Sequence, residues 1–196
     1  MKKDNFSQAV SSAIDIDVVN KLVDLIVSSP ENFAENRKGG YLVVGNIDSG
    51  IMVARPIGEF LKNENDTNRP GIYKKEWEEI KFLGNATSMA NHLLFKAFYD
   101  AQADKKMELT GGVRIGSMIV VFSGFPEKIS ETLSLIYAIY FFYRTEISKG
   151  LPSIKSTFNL LLPTYERAEE IEMVTKKIVP RFIKAMESRE KAPAQS

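Results

Sequence analysis

The sequence predicts an α+β protein in which a single antiparallel sheet of two β-hairpins is flanked by helices, with an extra helix near the C-terminus. Two β-rich stretches each contain a short turn with glycine, at residues 48–50 and 116–117. Segments with apolar residues at helical spacing precede, separate and follow these hairpins. A chain of 196 residues that is 44% hydrophobic is long and apolar enough for one domain with a sizeable core.

The first helix is predicted from apolar residues three and four positions apart between Val18 and Ile26. Asp15 and Asp17 lie at its start, where acidic side chains favour a helix N-terminus. The stretch 28–30, Ser-Ser-Pro, predicts its end.

The first hairpin is predicted over residues 41–47 and 51–54, because two β-rich runs are separated by Asp-Ser-Gly, a sequence typical of a bulged turn. Pro56 follows directly. Since the fixed φ of proline suits the first turn of a helix, we expect Pro56 to open a short helix that carries Ile57, Phe60 and Leu61.

A longer helix is predicted from an apolar stripe of helical spacing over residues 77–98, with a break or kink at residues 84–85 and an end at residues 104–106. The second hairpin is predicted over residues 109–115 and 118–122, with its turn at Gly116-Ser117.

The following helix, Ile129 to about Ile147, is apolar on nearly all faces and must therefore be covered on all of them. Two ways to cover its outer side remain open: docking of the final helical segment, residues 165–190 with a kink at Pro180, or a second copy of the chain. Aromatic residues are enriched in interface cores, and the candidate interface residues on this helix are Tyr137, Tyr140, Phe141 and Tyr143.

These elements predict a domain over residues 1–150, a helical extension over 151–190 that packs on this domain or on a partner, and a disordered tail over 191–196. The net charge of +1 argues against nucleic-acid binding. The absence of cysteine excludes disulfides, thiol catalysis, zinc fingers and iron–sulfur clusters. With no signal peptide and no apolar stretch long enough to cross a bilayer, we expect a cytoplasmic protein.

Three stretches carry a resemblance to a known family: 43–50 with its Asp-Ser-Gly turn, 109–115 with Gly-Gly, and 122–127 with Ser-Gly. Over residues 7–147 the chain resembles the GlcG/HbpS-like family. The resemblance implies a profilin-like fold, a homo-oligomer, and a small ligand, with heme or another tetrapyrrole as one possibility. Arg114 stands where the family has proline, and residues 151–196 are additional. A roadblock/longin-type interaction scaffold would show much the same pattern.

Candidate ligand-binding residues follow from their chemistry, and they are His92, Lys96, Arg55, Arg114, Gly112 and Ser123. His92 is the only imidazole and therefore the only histidine available to ligate heme. The two arginines could bind a carboxylate or phosphate, and backbone N–H groups at the two small residues could receive an anion. Each also has an ordinary structural explanation: a boundary histidine, ion-paired surface arginines, and small residues at a bulge or close crossing.

No nucleotide-binding loop or nucleophile elbow occurs in the sequence. The acid clusters at 76–79 and 169–172 lie among lysines and arginines, which is typical of solvated ion pairs rather than of paired catalytic acids. We therefore expect a non-enzymatic, oligomeric small-ligand-binding protein. A protein-interaction scaffold is the alternative, and an enzyme with acid/base carboxylates is the third.

Overall fold

The computed structural model describes residues 14–35, 37–46, 48, 51–58, 84, 87, 112–146 and 153–191. Its elements are α1 (Ile16–Val27), β1 (Gly39–Asn46), β2 (Ile51–Gly58), β3 (Gly112–Ile115), β4 (Met118–Ser123), α2 (Glu127–Glu146), α3 (Ile154–Leu161), a 3-10 turn (Leu162–Thr164) and α4 (Glu172–Lys191). The helix expected over 77–98 lies outside the described residues except for Gly84 and Thr87, which are helical. The expected disordered tail lies outside them too, apart from Lys191.

The four strands form one antiparallel sheet in the order β2-β1-β4-β3. Each predicted hairpin forms one half of it, and the halves join through β1 and β4. Val43 pairs with Ala54 on one side and with Val121 on the other, so β1 is a central strand. The predicted α+β class with a single antiparallel sheet of two hairpins is therefore confirmed.

The first hairpin extends further than its sequence indicates. Pro56 and Ile57 continue β2, opposite Tyr41 and Gly40, so the helix predicted to begin at Pro56 is wrong at these two residues. Proline has no N–H to donate to a ladder and is tolerated on edge strands, and β2 is one of the two edge strands of this sheet. The rest of that expected helix lies outside the described residues.

One face of the sheet carries the main core. Because side chains alternate along a strand, Leu42, Val44, Val120 and Phe122 share this face, and they pack with α1, α2 and α4 in one apolar cluster. Residues of the opposite face, such as Val121, are also buried. The central strands are thus buried on both sides.

Helix α1 begins and ends as predicted. The side chain of Asp15 caps its N-terminus by accepting a hydrogen bond from the backbone N–H of Val18, and Ser28 follows its last residue.

The C-terminal region differs in detail from the sequence interpretation. A short helix, α3, was not predicted, although Ser153 marks its start by accepting a hydrogen bond from the N–H of Ser156. The last helix begins at Glu172 rather than near Tyr165, and Pro180 lies inside it. The extension brings Phe158 and Phe182 into the common core.

A buried serine joins α2 to the sheet. The hydroxyl of Ser134 accepts a hydrogen bond of 2.8 Å from the backbone N–H of Phe122 and donates one of 2.8 Å to the carbonyl of Ser130. Phe122 lies beyond the last pair of the second hairpin, between Gly112 and Val121. The side chain of α2 therefore provides the acceptor that this backbone N–H needs in a buried position.

We expect Ser134→Ala to lower the free energy of unfolding by about 2 kcal/mol, because it leaves the buried N–H of Phe122 without an acceptor. Urea denaturation measures this loss. The matched control is Ser188→Ala, which removes an exposed hydroxyl bonded only to the carbonyl of Lys184 and should change stability by less than about 0.5 kcal/mol. Equal effects of the two variants would contradict the role given to Ser134.

Candidate functional site

The ligand-binding residues predicted from the sequence do not converge on one point. Gly112, Arg114 and Ser123 share the sheet face opposite the main core, since they pair with Val121, Ile119 and Tyr41. Ser123 lies four residues beyond Ile119, the partner of Arg114, or about 13 Å along β4. The guanidinium of Arg114 donates instead to the carbonyl of Gly116, at 2.9 Å.

Arg55 lies far from this group. It is exposed on β2, the edge strand opposite β3, and its partner Leu42 places it on the other face of the sheet. His92 and Lys96 lie outside the described residues. The roles assigned to these six residues stay predictions.

The aromatic residues predicted as an interface lie largely inside the chain. Tyr137, Tyr140 and Tyr143 are buried, and Phe141 is half-buried. The ring of Tyr140 packs edge-on against Phe182 of α4, with 5.7 Å between centroids. The C-terminal helix therefore covers this part of α2, and a second copy is not needed to explain its apolar character.

A cavity of about 550 Å³ opens where the start of α1, the C-terminal half of α2 and the end of α4 meet. It is lined by residues 14–17 at the start of α1, by Arg189 of α4, and by five residues of α2: Tyr137, Tyr140, Phe141, Arg144 and Thr145. We call it the Tyr137 cavity. Its volume and its mixture of aromatic rings with a few charged groups are typical of small-molecule sites.

Tyr137 borders this cavity, but its hydroxyl lies buried behind the lining. The side chain is 0% exposed, yet its hydroxyl has no hydrogen-bond partner among the described residues. Burial raises the pKa of Tyr137 well above 10. The backbone of Asp15 partly opposes that shift, but it does not form a hydrogen bond with the hydroxyl. Tyr137 is therefore a neutral phenol whose hydroxyl is closed off from solvent.

We expect Tyr137→Phe to raise the free energy of unfolding of the ligand-free protein by about 1 kcal/mol, because it removes a buried hydroxyl that has no partner. Thermal and urea denaturation measure the gain. Tyr143→Phe is the control, since its hydroxyl donates to Glu190, at 3.4 Å, and its loss should bring no gain. A destabilised Tyr137→Phe variant would show that the hydroxyl has a partner.

Two arginines carry the positive charge at this cavity. Arg189 is already ion-paired, since its Nη1 lies 2.7 Å from the carboxylate of Asp15 and its Nη2 lies 3.9 Å from that of Asp17. The Asp15 carboxylate raises the pKa of Arg189, so this side chain stays charged. Arg144 makes no ion pair within the described part of the chain. Burial raises the pKa of the Tyr140 phenol, and the positive charge of Arg144 only partly opposes that shift.

A second cluster lies at the other end of α2, where Glu131 is 1% exposed. Its carboxylate accepts a hydrogen bond from the hydroxyl of Tyr165 and lies 3.0 Å from Arg167. Arg167 also pairs with Glu170, at 2.7 Å, and approaches Glu127 at 3.9 Å. We call Glu131, Tyr165 and Arg167 the Glu131 clasp, because they fasten the segment before α4 to the start of α2.

The sequence pattern did not single out either site. Tyr137 and Tyr140 are predicted from the sequence only as interface residues, and no role is predicted for Glu131. Nothing in their spacing shows that α1 and α4 approach the end of α2. The acids of the 169–172 cluster behave as expected, because Glu170 pairs with Arg167 and Glu172 with Lys176 on exposed surface.

Within the described ranges, no group of histidine or acidic side chains could hold a metal ion, and no helix has the length and apolarity needed to cross a membrane. The Tyr137 cavity is therefore the strongest candidate site in this part of the protein. No family model, curated protein or solved structure matches the chain.

Proposed function

We propose that the protein is a non-enzymatic binder of a small ligand, which occupies the Tyr137 cavity. The observation that carries the proposal is the cavity itself, which has a volume of about 550 Å³ and a lining of aromatic rings and charged side chains. Proteins hold small ligands in pockets of this size, where aromatic rings provide contact area and a few polar groups fix the orientation of the ligand. The two carboxylates at this cavity, those of Asp15 and Asp17, both lie close to Arg189. Ion-paired carboxylates of this kind fit a binding protein better than an acid/base catalyst.

The resemblance raises heme as a ligand, and the lining of the Tyr137 cavity fits it poorly. The described lining contains no imidazole, thiolate or thioether. Its phenols, Tyr137 and Tyr140, have raised pKa values, which disfavours the phenolate that would ligate iron. A heme site would therefore depend on His92, and a hemin titration should then show a Soret shift that is lost in His92→Ala.

Ligand binding at the cavity is tested with the fluorescent probe 8-anilinonaphthalene-1-sulfonate. Thr145 lines the cavity and is exposed, so Thr145→Trp should fill the opening without disturbing the core. We expect one saturable site in the wild type. In Thr145→Trp we expect binding about tenfold weaker, because the indole ring occupies part of the space that the probe needs; a tenfold change corresponds to about 1.4 kcal/mol.

The matched control is Thr164→Trp. Thr164 is also exposed and its hydroxyl also donates to a carbonyl three residues earlier, but it lies outside the cavity lining. This variant should bind the probe like the wild type. Absence of saturable binding, or equal binding by both tryptophan variants, would overturn the proposal.

We also propose that the protein forms a homo-oligomer, and two exposed apolar side chains support a contact surface between copies. Leu160 of α3 is 64% exposed and Met173 of α4 is 70% exposed, although both are large apolar side chains. Such residues lower the free energy when a partner covers them. We expect the wild type to exceed the monomer mass of 22.0 kDa in light scattering, and Leu160→Glu with Met173→Glu to return it to that mass.

An interaction scaffold of roadblock/longin type is the second candidate, and the same two exposed residues favour it. In that case the partner is a different protein. A monomeric wild type that retains a binding partner through Leu160 and Met173, with no ligand in the Tyr137 cavity, would favour the scaffold over the ligand-binding protein.

A further inference from the structure

We propose that the Glu131 clasp is a pH-dependent switch: it holds the segment between α3 and α4, residues 162–170, against α2 while Glu131 is protonated, and it releases this segment when Glu131 ionises. We call residues 162–170 the connecting segment. Its release is independent of ligand binding at the Tyr137 cavity. Three observations support the switch: the weak attachment of the connecting segment, the incomplete bonding of Glu131, and the charges around this side chain.

The connecting segment has few anchors of its own. Phe158 before it and Ile171 after it are 1% and 0% exposed and belong to the core. Between them, no residue from 159 to 170 is fully buried, and Tyr165 contacts the core only as a half-buried ring. Segments with few buried apolar contacts open locally at a lower free-energy cost than the rest of a protein. The polar contacts of the connecting segment therefore matter for its position.

These polar contacts meet at one side chain of α2. Tyr165 donates its hydroxyl to the carboxylate of Glu131, and Nη1 of Arg167 lies 3.0 Å from the same carboxylate. Arg167 also approaches Glu127, which is 55% exposed, at 3.9 Å. Because Tyr165 and Arg167 both contact Glu131, the protonation state of this one carboxyl group acts on the attachment of the whole connecting segment.

The bonding of Glu131 is incomplete for an ionised carboxylate. Its Oε2 lies 3.0 Å from Arg167 but accepts no hydrogen bond within the described part of the chain, although the side chain is only 1% exposed. Arg167 instead directs Nε and Nη2 at Glu170, in two hydrogen bonds of 3.0 and 2.7 Å. A buried charge is costly unless it is both paired and hydrogen-bonded. A protonated carboxyl group avoids this cost and still has an oxygen that accepts from Tyr165.

The surroundings of Glu131 set the direction of the switch. Burial is the largest effect and raises the pKa of Glu131 above 4.5; Glu170 and Glu127 add to the shift, whereas the hydroxyl of Tyr165 and the charge of Arg167 oppose it. When the connecting segment opens, Glu131 meets water and its pKa returns toward the ordinary value. The closed form therefore binds the proton more tightly, and it loses this advantage as the pH rises through the raised pKa.

Hydrogen exchange of the connecting segment, followed by mass spectrometry on the full-length protein, tests the switch. Glu131→Gln stays neutral at every pH, so its connecting segment should stay closed. At a given pH the intrinsic exchange rates of the two proteins are equal, and the ratio of the wild-type rate to the Glu131→Gln rate measures the opening. We expect a ratio near 1 below pH 4.5, and a rise of at least about threefold as the pH passes through the raised pKa of Glu131.

Glu172→Gln is the matched control. It makes the same change next to the connecting segment, at a carboxylate that is 58% exposed and pairs with Lys176 at 2.7 Å. The ratio of the wild-type rate to the Glu172→Gln rate should stay constant above pH 4.5. The wild type alone provides a second measurement, because the exchange rate of its connecting segment divided by the intrinsic rate should rise with pH.

Three results would overturn the switch. A ratio to Glu131→Gln that stays near 1 at every pH would show that ionisation of Glu131 does not open the connecting segment. A ratio that falls with pH would show that the ion pair with Arg167 holds the segment in the ionised state. Exchange of the connecting segment as slow, relative to its intrinsic rate, as that of the central strand β1 would show that it opens only when the whole protein unfolds.

Discussion

Replacing Gly40 with alanine is expected to lower the free energy of unfolding by about 3 kcal/mol or more, among the largest effects of any single substitution in this sheet. A Cβ atom at this position would lie 1.8 Å from the carbonyl oxygen of Ser123 and 2.9 Å from the Cα of Gly124. Both atoms belong to the backbone at the end of β4 and just beyond it. No side chain can move aside, so the ends of β1 and β4 would have to separate.

The reason for this close approach lies in Gly124, which has a φ of +114° that side chains other than hydrogen rarely allow. That conformation turns the chain from β4 toward α2 while it passes over Gly39 and Gly40. The two glycine positions therefore act together, and the junction of the two hairpins depends on them.

Urea denaturation of Gly40→Ala measures the loss. Gly116→Ala is the matched control, because Gly116 also lies next to β4 and has a positive φ of +59°, but a Cβ there would meet nothing within 4 Å. It should cost only about 1 kcal/mol, the price of the left-handed conformation. If both variants lose the same amount, the close approach at Gly40 is not what limits stability.

The parts of the fold that sequence could predict are those set by neighbouring residues. The turn glycines and the alternation of β-rich residues locate both hairpins, and Asp15 with Ser28 marks the two ends of α1. The prediction of a helix at Pro56 was wrong, because the residues around Pro56 suit a helix as well as an edge strand. Edge position is a property of the whole sheet and cannot be detected in a local pattern.

The candidate site could not be predicted for the same reason. Residues 15, 137 and 189 meet at the Tyr137 cavity, although more than half of the chain separates residue 15 from the other two. In a sequence, a buried tyrosine without a partner looks the same as any core tyrosine. The ligand-binding residues predicted from the sequence were chosen for their side-chain chemistry alone. In the sheet, Arg55 lies on one face, and Gly112 and Arg114 lie on the other.

Glu131→Ala is expected to have the second large effect, a loss of about 2 kcal/mol, because it removes a buried side chain and the acceptor for the hydroxyl of Tyr165. Glu170→Ala is the matched control. Its carboxylate binds the same Arg167 but is 48% exposed, so its removal should cost no more than about 1 kcal/mol. Similar losses would mean that the ion pairs of Arg167, and not the burial of Glu131, hold the Glu131 clasp together.

The sign of the pH dependence gives a sharper test. Burial raises the pKa of Glu131 above 4.5; the hydroxyl of Tyr165 and the charge of Arg167 oppose this shift, whereas Glu170 and Glu127 add to it. The folded protein therefore binds this proton more tightly than the unfolded chain. The resulting stability is fully present below pH 4.5 and is lost as the pH rises through the folded-state pKa.

Glu131→Gln keeps an oxygen to accept from Tyr165 but does not titrate. The stability of the wild type minus that of Glu131→Gln should consequently fall as the pH rises above 4.5 and through the raised pKa of Glu131. Other carboxylates contribute equally to both proteins: Glu31, whose pKa the hydroxyl of Ser29 and the charge of Lys177 lower to about 2, cancels in the difference. A difference that rises with pH would mean that Arg167 outweighs desolvation, and that the Glu131 clasp is held chiefly by its ion pair.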